Sequence, residues 1–250
     1  MKVTILGCGT TVPSLEKNSS GLLIQDGGKN YLVDFGYGTL HQLLRRGISY
    51  HDIDRIFFTH NHPDHMCDLI LFLFGSRYQL DPRTKDLEIV AAPGFEEFFA
   101  GVMAAFNHWL IPTTYKINFI SQDEETRDHD HLSVTTRKVK HIELSRGFRF
   151  QDRQGKTVVV SGDTDYCQGI VELGKNADLL ILECAFPDAG KVKGHLTPRL
   201  AGKVAREAGC KQLCLTHLYP TCEPKEALAH CLEEFSGDIV LAQDRMEFNL

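Results

Sequence analysis

Short apolar runs ending in polar residues alternate along this chain with stretches of helical spacing. Val3–Leu6, Gly21–Gln25, Tyr31–Val33, Arg55–Phe58, Leu87–Ala91, Thr157–Val160, Asp178–Leu182 and Gln212–Leu215 have the length and continuity of buried strands. Helices are predicted between them. Gly38–Arg46 carries Leu40, Leu43 and Leu44, and Gly94–Phe106 is apolar on most sides. Thr197–Ala208 places Thr at the N-cap and Pro198 at the first helical position, and Pro224–Phe235 starts in the same way. From Ile120 to Val139 the pattern changes: Ser121–Thr126 reads as a polar turn, and alternation over Leu132–Val139 predicts an exposed antiparallel strand. No low-complexity linker or break in composition interrupts the chain, so the expectation is an α/β fold with one domain over residues 1–250.

Three runs end in potential ligands. Arg55–His60 and Gln212–His217 each deliver a Thr-His pair at the end of an apolar strand, and Val158–Asp163 delivers an Asp. Strand ends are rigid supports, and open sheets place their sites there. The repetition predicts two β-rich layers converging on one site.

Composition narrows the setting. A net charge of -6 argues against a broadly basic nucleic-acid surface. No stretch approaches the roughly 20 apolar residues of a membrane span, and the start of the chain reads as a first strand rather than a signal peptide. A cytoplasmic location is the expectation. The eight cysteines contain no C-x-x-C pair and read as reduced thiols. Cys210 and Cys214 invite a metal reading, but Cys214 lies between Leu213 and Leu215 as strand core.

The chemistry concentrates in His60-Asn61-His62-Pro63-Asp64-His65, four potential ligands within six residues. Imidazole and carboxylate suit zinc, manganese or iron, and a converging set leaves a coordination position open to water. His60 and His62, two apart on an extended segment, face the same way. Asp64 and His65, at the turn into a helix, can then face a second metal.

This H-x-H-x-D-H pattern resembles the signature of the metallo-β-lactamase superfamily. The resemblance implies an αββα sandwich, two mixed β-sheets flanked by helices. It also implies two divalent metal ions, with zinc as the first expectation and manganese or iron(II) as alternatives. By that analogy Asp34-Phe35-Gly36 is the early motif supporting the ligand loop, and His141, Asp163 and His217 complete the set. His60, His62 and His141 would bind one metal and Asp64, His65 and His217 the other, with Asp163 bridging. Two metals roughly 3.5–4 Å apart can clamp the attacking and leaving oxygens of a phosphodiester and bring the pKa of bound water toward about 7.

Glu183, after the strand Asp178–Leu182, and the segment His195-Leu196-Thr197 look like the Glu and His-x-Thr elements of the ribonuclease Z-like phosphodiesterases. The resemblance makes His195, oriented by Glu183, a participant in proton transfer; Asp64, Glu183 and His195 are the candidate catalytic residues. True ribonuclease Z enzymes usually carry a long tRNA-gripping arm between the third-motif histidine and the bridging aspartate. Here only Ile142–Gly162 intervenes, enough for a β-hairpin. Arg199, Lys203 and Arg206 share one side of a helix but read as a solvated face.

The leading expectation is therefore a two-metal phosphodiesterase acting on a small phosphodiester or cyclic nucleotide. A tRNA 3′-processing endonuclease, an arylsulfatase- or lactonase-like hydrolase and a non-catalytic metal-binding protein are alternatives. Met66–Arg83, with Leu69, Phe72, Phe74 and Tyr78, and Asn107–Tyr115, with Trp109, are candidate pocket walls. For the first, helix core or a homodimer contact is the preferred reading.

Overall fold

The computed structural model describes residues 1–250. The first sheet takes β1 (Lys2–Gly7), β2 (Gly21–Asp26), β3 (Lys29–Val33), β4 (Arg55–Phe57), β5 (Leu87–Ala91) and β6 (Ile117–Ser121). The second takes β7 (Thr126–His129), β8 (Leu132–Lys138), β9 (Arg146–Gln151), β10 (Thr157–Val160), β11 (Leu179–Glu183), β12 (Gln212–Thr216) and β13 (Asp238–Leu241). The chain then returns to the first sheet as β14 (Glu247–Asn249), antiparallel beside β1. Both sheets are mixed in the same way. Antiparallel pairing runs through β3 in one and β10 in the other, and parallel pairing follows to β6 and β13.

Three apolar layers explain why the strands read as continuous runs rather than as alternating ones. On β3, Tyr31 and Val33 face the layer between the sheets while Leu32 faces outward. On β11, Leu179 and Ile181 point in, and Leu180 and Leu182 point out. Helices cover both outer faces. Over the first sheet lie α1 (Thr39–Leu44), α2 (Pro63–Met66), α3 (Asp68–Gly75) and α4 (Phe95–Phe106). Over the second lie α5 (Gln168–Gly174), α6 (Pro198–Ala208) and α7 (Pro224–Leu232). This is the expected αββα sandwich of two mixed sheets. No helix is long and apolar enough to cross a membrane.

Several local expectations change. Thr197 does sit at the N-cap of α6 and Pro198 follows it, but the Thr197 hydroxyl makes no capping bond. The strand expected to be exposed over Leu132–Val139 is β8, paired on both sides, with Leu132 and Val134 buried between the sheets. Its alternation marks one inward and one outer face, not an edge. Cys210 packs in the outer layer and Cys214 between the sheets, and all eight cysteines are free thiols.

At the end of the sandwich away from the strand C-termini, His129 is 2% exposed, with its ring 5.3 Å from Phe57. Its Nε2 and Gln122 Oε1 are 2.7 Å apart, and the Gln122 amide donates in turn to the Val134 carbonyl at 2.8 Å. Burial, reinforced by Arg55 and Arg127 and opposed by Asp130 and Asp128, pulls the His129 pKa down to about 4. The unfolded chain, with an imidazole pKa near 6.5, takes up the proton first as pH falls. Stability is therefore full above pH ~6.5 and is lost between there and pH ~4. Between pH 7 and 5 this group alone should cost about 2 kcal/mol. Urea unfolding of chelator-treated protein should show His129→Gln less pH-dependent than the parent by that amount; parallel curves would refute it.

Candidate metal centre

All the predicted ligands come from one end of the sandwich, where the C-terminal ends of β4, β8, β10 and β12 meet. After β4 the chain bends at Thr59 and runs through His60 to His62, which is extended (φ −67, ψ 146), and Pro63 then starts α2 at its first position. Proline at that place forces the turn without losing a needed hydrogen bond. The single turn of α2 buries Asp64 and His65. His141 lies between β8 and β9, Asp163 three residues beyond β10, and His217 directly after β12 with a left-handed φ of 59°. Gly162 lets the two layers touch: a Cβ there would fall 2.5 Å from the Thr59 Cβ.

The seven residues gather in two groups. Ligand atoms of His60, His62, His141 and Asp163 all lie within 4.8 Å of one another, as do those of Asp64, His65 and His217. The grouping has the same members as the division that the family resemblance implies. Asp163, 3% exposed, touches both groups. Its Oδ2 is 3.7 Å from His60 Nε2 and 3.8 Å from His141 Nε2. Its Oδ1 is 3.3 Å from His65 Nε2 and 3.7 Å from His217 Nε2. His217 Nε2 also lies 3.3 Å from Asp64 Oδ2, and His141 Nε2 lies 3.2 Å from His62 Nδ1.

The donor set fits divalent cations. His60 Nε2, His65 Nε2 and Asp163 Oδ1 are buried with no hydrogen-bond partner. Leaving such atoms unpaired costs about 1–3 kcal/mol each. Meanwhile three of the far ring nitrogens are occupied, His65 Nδ1 by Asp34 Oδ2 at 2.8 Å, His60 Nδ1 by Thr59 Oγ1 at 3.0 Å and His141 Nδ1 by the Gly194 carbonyl at 3.0 Å, while His217 Nδ1 is buried without a partner. The three partners fix their rings and aim a lone pair of each into the cluster. Burial lowers the His60 pKa, with His65 adding to the effect. Burial would also neutralise Asp163, but His217 and His65 hold its carboxyl well below the usual range.

Asp34, at the end of β3 with φ 62°, accepts from the Thr59 N–H, the Thr59 hydroxyl and His65, each at 2.8 Å. Its place behind the ligand loop is the one expected. Thr59 was missed, although its signal was present: Thr precedes the histidine at both strand ends that echo one another.

Glu183 and His195 are also brought together. His195 Nδ1 is 2.9 Å from Glu183 Oε1, which also accepts the Thr164 N–H at 2.8 Å. Glu183 Oε2 accepts the Ala185 and Leu196 N–H groups, each at 3.2 Å. Burial raises the Glu183 pKa against the lowering effect of the His195 hydrogen bond, and the four donors favour its ionised form. Burial works against charge on His195, but the hydrogen bond and charge of Glu183 outweigh it and raise its pKa. His195 belongs to a third group, with Asp163 and His217. Phe186 and Tyr219, stacked with centroids 4.6 Å apart, wall it on one side; no sequence signal marked this pair.

Other expectations fare differently. Leu69 and Phe72 are core, whereas Phe74, Tyr78 and Trp109 are more than half exposed, Phe74 packing on Trp109. Helical spacing alone does not say which of these side chains the first sheet covers. The basic row on α6 is neutralised internally: Arg199 pairs with Glu233, Arg206 with Glu234 and Lys203 with Glu207. Between His141 and Asp163 the chain forms only the antiparallel β9–β10 hairpin.

A family model described as a β-lactamase superfamily domain matches residues 29–218. The chain belongs to the metallo-β-lactamase superfamily. It is 32% identical to a ribonuclease Z of Brevibacillus brevis over 99% of this chain and 92% of that one. It is 27% identical to a ribonuclease Z of Archaeoglobus fulgidus over 87% of each. Among solved structures, the metallo-β-lactamase fold protein YhfI from Bacillus subtilis matches with TM-score 0.87 and 27% identity over 99% of this chain and 98% of that one. The short form of human tRNase Z matches with TM-score 0.78 and 27% identity over 100% and 99%. The Brevibacillus alignment runs over 307 positions against a chain of 250 residues, so that relative has segments without a counterpart here. The superfamily member described here is a metal-dependent hydrolase, and the likeness is of the ribonuclease Z kind.

Asp34→Ala should leave the Thr59 N–H and His65 Nδ1 unpaired and destabilise the metal-free protein by about 2–4 kcal/mol. Chemical denaturation with chelator present measures this; a change under about 0.5 kcal/mol, the usual range for an indifferent surface position, would refute it.

Proposed function

We propose that this chain is a phosphodiesterase with the chemistry of ribonuclease Z. His60, His62 and His141 would hold one divalent metal and Asp64, His65 and His217 the other, with Asp163 within reach of both groups. The observation that carries the reading is the Glu183–His195 pair set against this centre, because it adds a protonatable donor where a leaving oxygen needs one. The metals, when bound, supply an acidified water and offset the charge of a phosphate. Glu183 keeps the His195 Nδ1 proton in place and favours the imidazolium. His195 then presents its Nε2–H to a phosphate oxygen or to the departing alcohol. Asp64 stays ionised against His217, and the Phe186–Tyr219 wall limits water on the His195 side.

The relatives' name moves the 3′ end of a precursor tRNA ahead of the small phosphodiester that the sequence alone put first. A specific observation keeps the small substrate as the second reading. The β9–β10 hairpin replaces any long arm, and the α6 basic row is already paired, so little surface is left for a folded RNA.

Purified protein should carry about two divalent ions per chain, zinc being the first to test, and should turn over an aryl phosphodiester. Precursor tRNA with a 3′ trailer separates the two readings: cleavage selects the endonuclease, and its absence at full metal loading selects the small phosphodiester. Activity confined to sulfate esters or lactones at full loading would end both. Asp64→Ala should abolish turnover. His195→Ala should lower kcat by about 10²–10⁴ while metal content stays near two per chain; an unchanged kcat would remove His195 from the mechanism.

A further inference from the structure

Asp165, two residues after Asp163, is 8% exposed and belongs to none of the ligand groups. Its main chain joins the loop that carries His141: the Asp165 N–H donates to the Lys140 carbonyl at 2.7 Å, forming an isolated antiparallel bridge. Its side chain joins the loop that carries His195. Oδ2 accepts the Gly194 N–H at 3.2 Å and the Lys191 ammonium at 2.9 Å, while Oδ1 accepts the Tyr166 N–H at 2.8 Å. The Gly194 residue closes the circuit, because its carbonyl accepts from His141 Nδ1 at 3.0 Å. Gly194 is thus held on one side by a carboxylate and on the other by an imidazole. Its φ is +90°, and a Cβ would lie 3.0 Å from His141 Nδ1, so no other residue fits between them without strain.

The Gly194 peptide can orient the His141 ring only if it is itself fixed. Its neighbours in sequence are the exposed Val192 and Lys193 on one side and His195 on the other. Apart from the His141 contact, Asp165 is the anchor on the Gly194 N–H, while the peptide that carries the Gly194 carbonyl is held through the His195 N–H, which donates to the Val192 carbonyl at 3.3 Å. Asp165, on the loop after β10, thereby touches both the loop off β8, through Lys140, and the loop leading into α6, through Gly194, and those two loops also meet at the His141–Gly194 bond.

We propose that Asp165 is a positioning residue: through the Gly194 peptide it sets the ring of His141 and the placement of His195 relative to each other. This rests on the reading of His141 as a metal ligand and His195 as a proton donor. It assigns a role to a residue that touches neither a metal nor a substrate. Partners behind metal-bound histidines typically change metal affinity or activity about 10–100-fold when removed.

The test compares three variants for zinc affinity, by competition with a chromogenic chelator, and for the His141 Nδ1–H signal in ¹H–¹⁵N NMR, assigned by its loss in His141→Gln. Neither measurement depends on which substrate the enzyme uses, so failure of the phosphodiester reading leaves them intact. Asp165→Ala and Asp165→Ser, whose side chains are too short to reach Gly194, should weaken zinc binding about 10–100-fold and lose the protected imidazole signal. On an aryl phosphodiester they should lower kcat more than they change KM. Asp165→Asn keeps an acceptor oxygen and should restore zinc binding and the signal to within about threefold of the parent. The Ser variant carries the comparison if the Ala variant does not fold. Zinc affinity and a protected signal unchanged in the Ser variant, or an Asn variant no better than Ser, would overturn the proposal. Equal melting temperatures across the series with the affinity change intact would set this role apart from a merely structural one.

Discussion

A buried carboxylate with two faces holds the two halves of this molecule to one geometry. Asp163 lies under histidines supplied by both sheets: His60 and His65 from the first, His141 and His217 from the second. Unpaired in a dry interior, such a group would be costly. Surrounded by four imidazoles, it is the place where the two strand-end edges must meet. Gly162, next to Asp163 in the chain, permits that approach because it lies against Thr59 where a side chain would not fit.

The supports behind the cluster follow the same logic from each side. In the first half Asp34 gathers Thr59 and His65 in one carboxylate. In the second, Glu183 gathers the Thr164, Ala185 and Leu196 amides together with His195. Each carboxylate stands at or just beyond a strand end, where unpaired backbone N–H groups are available and the sheet fixes their direction. The reactive side chains are therefore held by rigid elements, and the mobile part of the problem, the substrate, is left to the loops.

Much of the fold was legible in the hydrophobic pattern because most strands here are buried on both faces. Such strands read as unbroken apolar runs, as Gln212–Leu215 does. The elements that escaped notice are the ones that this signal does not reach. β9 carries Arg146 and Arg149 among its apolar residues, α5 is short and interrupted by glycines, and β6, β7, β13 and β14 lie at sheet edges where burial is partial. β8 was found but misjudged, since alternation says that one face is wet without saying which neighbours flank the strand.

For the site, the sequence by itself marked the candidate ligands of His60–His65, whose spacing is set by local backbone geometry, and the strand ends that precede His60, Asp163 and His217, while His141 entered through the family resemblance. It also pointed to Asp34, Glu183 and His195 through their resemblance to known motifs. What only the tertiary structure decided are the contacts between loops distant in the chain: Thr59 on Asp34, the Phe186–Tyr219 wall, and Asp165 reaching Gly194 to brace His141. The pairing of Arg199 and Arg206 with Glu233 and Glu234, just beyond α7, belongs with these. Such contacts depend on how two sheets are packed against each other. No local propensity encodes that distance, and so no pattern along the chain could reveal it.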